Sequence, residues 1–154
     1  MPQLVKGGKH TFGWVKVNIE GRVVIPPEAF EEYHFSEGEK AVLMPGSRKS
    51  RGFGLTTSKR LNKCRMSGLL KSAPELFEYS IPEGEAVEIN SRIYCWVKIV
   101  NKAISIPGIL LREYGIKTGE FLLTVRGSKT ALGFAAAGPI IEEAERHPEL
   151  VVFE

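Results

Sequence analysis

The sequence predicts a mainly β protein with short helices, built from two β-β-α-β-β repeats that share one core. Three observations carry this expectation. Sliding the 154-residue chain on itself by 81 positions aligns 22–56 with 103–137 and matches ten of those 35 positions, where unrelated sequence gives about two. The matches are Ile25/Ile106, Pro26/Pro107, Glu32/Glu113, Tyr33/Tyr114, Gly38/Gly119, Glu39/Glu120, Gly46/Gly127, Ser47/Ser128, Gly52/Gly133 and Phe53/Phe134. Short β-branched runs recur in both copies between Gly, Pro, Asn and Ser, as strands do. Each copy also holds one Ile-Pro followed by about two turns of amphipathic sequence.

Taken in order, residues 1–13 read as a flexible arm and 14–56 as the first repeat. Its segments VKVNI and RVVI are strands, and Ile25-Pro26 marks a strand passing into a helix, because proline cannot donate to a ladder but suits a first helical turn. Ala29, Phe30 and Tyr33 share the apolar face of that helix, opposite Glu28, Glu31 and Glu32. So short a helix is unstable alone and must be docked. Gly38 suits a left-handed turn, strand KAVLM follows, and a Gly-Ser turn leads to a strand ending in GFGL. Residues 57–90 form a helical and acidic connector: Thr57 or Ser58 caps a helix to Lys71, and five glutamates follow around a strand in EAVEI.

The second repeat, 91–137, runs YCWVKIV, AISI, a helix with Ile109, Leu110, Leu111 and Tyr114 inward, a turn at Gly119, FLLTV and GFAA. The tripeptide WVK occurs at 14–16 and again at 96–98, so the first copy carries one inserted residue downstream. Residues 138–154 are a C-terminal helix, opened by Pro139, and a tail. A unit of some 45 residues closes a core poorly by itself, so the copies are expected to complete each other.

Composition narrows the function. All 18 acids are glutamates, which excludes aspartyl-phosphate formation, aspartic dyads, EF-hand loops and a Walker-B aspartate. Cys64 and Cys95 stand apart without ligand spacing, the three histidines are scattered, and no GxSxG, HExxH or GxxxxGK[ST] occurs. The expectation is no enzyme, no metal and no cofactor. With no apolar run near 18 residues and no signal-peptide pattern, a cytoplasmic, membrane-free location is expected.

The net charge of +3 is uneven. From Lys40 to Pro74 there are nine basic residues and no acid, so the other 119 positions sum to −6. Such a block points to a polyanion partner or to a solvated basic face.

At GRVVIPPEAFEEYHFSEGEKAVLM the chain resembles the SpoVT-AbrB family of swapped-hairpin DNA-binding domains. Gly21, Arg22, an apolar triplet, Pro26, Gly38 and Glu39 fill its pattern; the second copy keeps Ile106, Pro107, Gly115, Gly119 and Glu120, with Lys102-Ala103 in place of Gly-Arg. The resemblance implies an AbrB-like swapped-hairpin (cradle-loop) barrel, here as an intramolecular pseudo-dimer, and a transcriptional regulator that binds double-stranded DNA. A more distant similarity is to MraZ, whose signature aspartate is replaced by Asn18. The family's usual pair of helix arginines is Phe30-Glu31 in copy one and Leu111-Arg112 in copy two. A protein partner and self-association to a homodimer or higher also fit the family.

The DNA-contacting residues expected are Lys16, Arg22, Lys98 and Lys102 on the hairpins, Arg112 on the second helix, Arg48, Lys49 and Arg51 in the GSRKSRGFG turn, and Lys59 and Lys63 on the connector helix. Arginine suits phosphates and guanine edges, and the connector cations suit backbone phosphates. Each has a structural alternative: Arg22 pairing with Glu20, an exposed hairpin turn, and a docked surface helix. Trp14, Trp96, Tyr33 and Tyr114 read as core aromatics. The alternative function is a protein-interaction or small-anion module on the same fold.

Overall fold

A computed structural model describes residues 10–46, 51–63, 67–126 and 130–154. The first repeat contains β1 (His10–Lys16), β2 (Arg22–Val24), α1 (Pro27–Glu32), β3 (Lys40–Pro45) and β4 (Phe53–Thr56). The connector contains α2 (Ser58–Leu61), α3 (Ser67–Ser72), α4 (Pro74–Phe77) and β5 (Val87–Ile89). The second repeat contains β6 (Arg92–Lys98), β7 (Ala103–Ser105), α5 (Gly108–Glu113), β8 (Phe121–Arg126) and β9 (Leu132–Ala135), and α6 (Pro139–Ala144) and β10 (Val152–Phe153) close the chain. The protein is thus mainly β with short helices. β1 begins at His10, inside the stretch expected as an arm, because its N-terminal half pairs with β8.

The strands form one mixed eight-stranded sheet, β10-β1-β8-β9-β4-β3-β6-β5, and a two-stranded ribbon, β2-β7. Among the described residues β10 and β5 are the edges of the large sheet, so the expected closed barrel is not formed there and the sheet is open. Pairing crosses between the repeats: β1 of the first lies on β8 of the second, and β6 of the second lies on β3 of the first. The two registers correspond. Trp14 faces Leu123 and Trp96 faces Val42, which are equivalent contacts in the duplication. Val17 accepts from Gly119 and donates to Glu120, while Ile99 accepts from Gly38 and donates to Glu39. The repeated Gly-Glu therefore clasps the other copy's first strand. Its carboxylate also caps its own turn, Glu39 accepting from Ser36 N and Glu120 from Lys117 N.

This correspondence defines a local two-fold. In the ribbon Val23 pairs with Ile104, and 23 + 81 = 104, so that pair lies on the axis. In the sheet the axis falls on Gly54 and Gly133, with Phe53 on Phe134 to one side and Leu55 on Leu132 to the other. Two sequence identities are therefore out of place: Gly52/Gly133 and Phe53/Phe134 are not equivalent positions. Nine residues lie between Met44 and its partner Gly54, but seven between Val125 and its partner Gly133, so the first turn is two residues longer. It leaves the ladder at Arg51 (φ 51°) and Gly52 (φ 86°), both left-handed. A Cβ on Gly52 would sit 1.9 Å from the Phe134 carbonyl oxygen, so only glycine fits there.

The one-residue difference after WVK is also a turn difference. In copy one Ile19–Gly21 form a three-residue loop closed by Asn18 N to Arg22 O (3.1 Å), with Gly21 left-handed. In copy two Asn101 and Lys102, both at φ 55°, form a two-residue loop between Val100 and Ala103. Gly21 is also packed: its own carbonyl accepts from Ile106 N at 2.9 Å, and a Cβ there would lie 2.7 Å from Ile106 O.

β3 and β8 each bury four consecutive residues because both sheet faces are covered. Ala41, Leu43, Cys95, Val97 and Leu122 point into the main core with the ribbon and with Ala29, Tyr33, Leu110 and Tyr114 of the helices. On the outer face Val42, Met44, Tyr94 and Trp96 pack against Leu61, Leu76 and Phe77 of the connector. Leu123, Val125 and Trp14 pack against Ala144 and Ile141 of the C-terminal segment. Trp96 is a core aromatic whose indole N–H donates to Ile81 O at 2.8 Å, whereas Trp14, expected in the core as well, is only partly buried against the C-terminal segment. The helix faces agree with expectation except at Ile109, which is 47% exposed.

The helix expected over 58–71 is two pieces, with residues 64–66 outside the described chain. α2 is capped by Thr57, whose Oγ1 accepts from Arg60 N, and it ends in a tightened turn where Lys63 N donates to Arg60 O. No described helix is long and apolar enough to cross a membrane.

Candidate nucleic-acid interface

The ribbon presents one face inward and one outward. Val23 and Ile104 are buried on the inner face, and on the alternating face Arg22 is half-buried across from exposed Ser105, while Val24 packs at the core's edge opposite buried Ala103. Arg22 makes no ion pair with Glu20 among the described residues; instead Asn18 Oδ1 accepts from the backbone N–H of Glu20 (2.9 Å) and of Arg22 (2.8 Å). The asparagine thus shapes the loop that holds the arginine. Lys16 ends β1, exposed, with its ammonium 5.8 Å from the Phe121 ring centre. Lys16 and Arg22 line one concavity of about 540 Å³ with Val17, Asn18, Thr118 and Glu154.

The second hairpin is chemically different. Its two turn amides are occupied by a carboxylate from the first repeat: Asn101 N and Lys102 N donate to the two Glu37 oxygens, at 2.5 and 2.9 Å. Those N–H donors, Asn101 first, hold the Glu37 carboxyl below its ordinary value of 4.5. The position equivalent to Glu37 in the second repeat is Thr118, which brings no charge to the first hairpin. The Lys102 ammonium lies 5.4 Å from the Phe30 ring centre. Lys98 is exposed opposite Lys40, and its backbone N–H donates to Glu83 Oε2 at 2.9 Å. The acidic connector therefore places a carboxylate beside Lys98.

The remaining expected residues do not join the hairpins. Lys59 and Lys63 line a second concavity, about 530 Å³, with Tyr33, His34, Glu39 and Arg60. There the Arg60 guanidinium lies 4.9 Å from the Tyr33 ring centre and donates to Tyr33 O at 2.9 Å. Burial first, and then the Glu32 charge, push the Tyr33 hydroxyl up to about 12, so it stays protonated and donates to Ala131 O. Arg51 and Arg112 line a third concavity with Arg92. Arg92 was not among the expected residues; a lone cation in SRIY carries no sequence signal. Arg48 and Lys49 lie outside the described residues. Among the described residues no three His, Cys or Glu side chains group as metal ligands.

No protein-family profile and no curated protein matches the sequence. Among solved structures, the solution structure of PHS018 from Pyrococcus horikoshii is similar with a TM-score of 0.37 at 14% identity, over 84% of this chain and 98% of that one.

Proposed function

We propose that this chain is a tandem SpoVT-AbrB-type regulator, its two swapped hairpins paired within one molecule, and that it binds duplex DNA asymmetrically through the first hairpin. The observation that carries the reading is the joint placement of Lys16 and Arg22 around one concavity beside the outward face of the β2-β7 ribbon. The strand exchange between repeats supports the swapped-hairpin arrangement. A two-stranded ribbon is narrow enough for the major groove, where an arginine reads guanine, and Lys16 supplies phosphate attraction. Glu37 on the second turn and Glu83 beside Lys98 lower the anion affinity of the second hairpin. Arg22 and Lys16 dominate as a result.

The test is a binding titration with duplexes from the protein's own genome neighbourhood, beginning at low salt. Affinity should fall steeply with salt because phosphate neutralisation releases counterions, and Arg22→Ala should cost about 1–3 kcal/mol. Absence of binding at low salt, or an Arg22→Ala protein that binds as well as the parent, overturns the proposal. A second reading, an anion- or protein-binding module without DNA contact, is favoured by the arginines that the fold gathers away from the hairpins.

A further inference from the structure

The third concavity, about 330 Å³, is lined by Arg51, Arg92, Arg112, Glu113, Ser91 and the glycines of the first long turn and of Gly115. Two of its guanidiniums are oriented by main chain. Arg92 Nη2 donates to Gly46 O at 2.7 Å, and Arg51 donates to Gly115 O and, at 3.4 Å, to Ala136 O. Backbone carbonyls fix the rotamers but cancel no unit charge. The carboxylates nearby are Glu120, 3.4 Å from Arg51, and Glu113 in the lining. Arg112 is exposed on α5 and has no ion pair among the described residues.

Two features specific to the first turn create this place. The two-residue extension puts Arg51 in a left-handed conformation that a long side chain seldom adopts, and Gly52 beside it donates its N–H to Tyr114 O at 3.0 Å. The matching helix position in the other half carries the opposite charge. Glu31 stands where Arg112 does, and the adjacent Glu32 is paired with Arg126 at 2.5 Å.

We propose that the Arg51–Arg92–Arg112 concavity is a binding site for a small phosphate-bearing anion, separate from the hairpin surface. Guanidinium forks match the tetrahedral oxygens of a phosphate group, and two pre-oriented arginines lose little freedom on binding it. The volume admits one such group with a small substituent.

The probe is inorganic phosphate, titrated into the full chain at constant ionic strength while the backbone amides of Gly46, Gly52 and Gly115 are followed by NMR. Parallel titrations use acetate and a duplex oligonucleotide. Saturable shifts with phosphate, weaker ones with acetate, and at least a roughly tenfold loss of affinity in Arg112→Glu are expected. That variant places in the second repeat the residue the first already carries at the same helix position, so the fold tolerates it. Arg22→Ala should leave the phosphate titration unchanged, which separates failure of this site from failure of the DNA reading. Unsaturable shifts, equal affinity in Arg112→Glu, or shifts of these glycines with duplex but not with phosphate overturn the proposal.

Discussion

Replacing Gly21 by alanine tests how the two copies hold each other. Gly21 is left-handed at φ 80°, and an added Cβ would meet Ile106 O at 2.7 Å and Leu111 Cδ1 at 3.3 Å. Gly38 is the control: it is left-handed at φ 81°, with nothing within 4 Å of an added Cβ. Both alanines carry the left-handed penalty of about 1–2 kcal/mol. Only at position 21 must the backbone also retreat from the second repeat's Ile-Pro segment, an overpacking cost of about 1–3 kcal/mol. Gly21→Ala should therefore destabilise by about 2–5 kcal/mol and Gly38→Ala by about 1–2, read as shifts of the urea midpoint at constant slope. Equal losses in the two variants would refute the claim that the first hairpin rests on Ile106.

Two further outcomes follow from groups the fold sets apart. Because Glu37 is more acidic folded than unfolded, its stabilisation of the second turn is complete above the ordinary carboxyl value of 4.5 and is lost as pH falls through the lower folded value. The stability gap between the parent and Glu37→Gln should shrink on acidification, and a gap constant from neutral to strongly acid pH would contradict the assignment. The fully buried Cys95 thiol is pushed up to about 12, chiefly by burial and then by Glu83, so in a Cys64→Ser background it should resist a thiol reagent until denaturant is added. Rapid labelling of the native protein would rule out that burial.

The repeat, the Ile-Pro helices and the left-handed glycines were legible because each depends on local chemistry. Strand exchange was not legible in the same way: hydrophobic pattern requires β3 to have partners on both sides but does not say which copy supplies them. Turn length misled the alignment at its end, where a Gly-Phe in each copy matched in letters while the ladder placed Gly133 on Gly54. The candidate site divided for the same reason. Lys16 and Arg22 are six positions apart across a tight hairpin, and proximity followed from sequence. Arg51, Arg92 and Arg112 come from three separate elements, and nothing short of the fold brings them to one corner. Glu37 is one of four glutamates within nine residues, 31–39, and only the position of the opposing turn distinguishes it.

The two-fold bears on which residues are free to differ. A pair on the axis, such as Val23 with Ile104 or Gly54 with Gly133, is made once, and changing either member alters the whole contact. The off-axis rungs that join β1 to β8 have counterparts between β6 and β3, so one version can change while the other still holds the molecule shut. The rung beside the axis is Phe on Phe at one end and Leu on Leu at the other. That redundancy is the room in which an aspartate-free, unevenly charged chain has set Arg22 on one hairpin, placed the Glu37 carboxylate on the turn of the other, and set arginine against glutamate at matching helix positions.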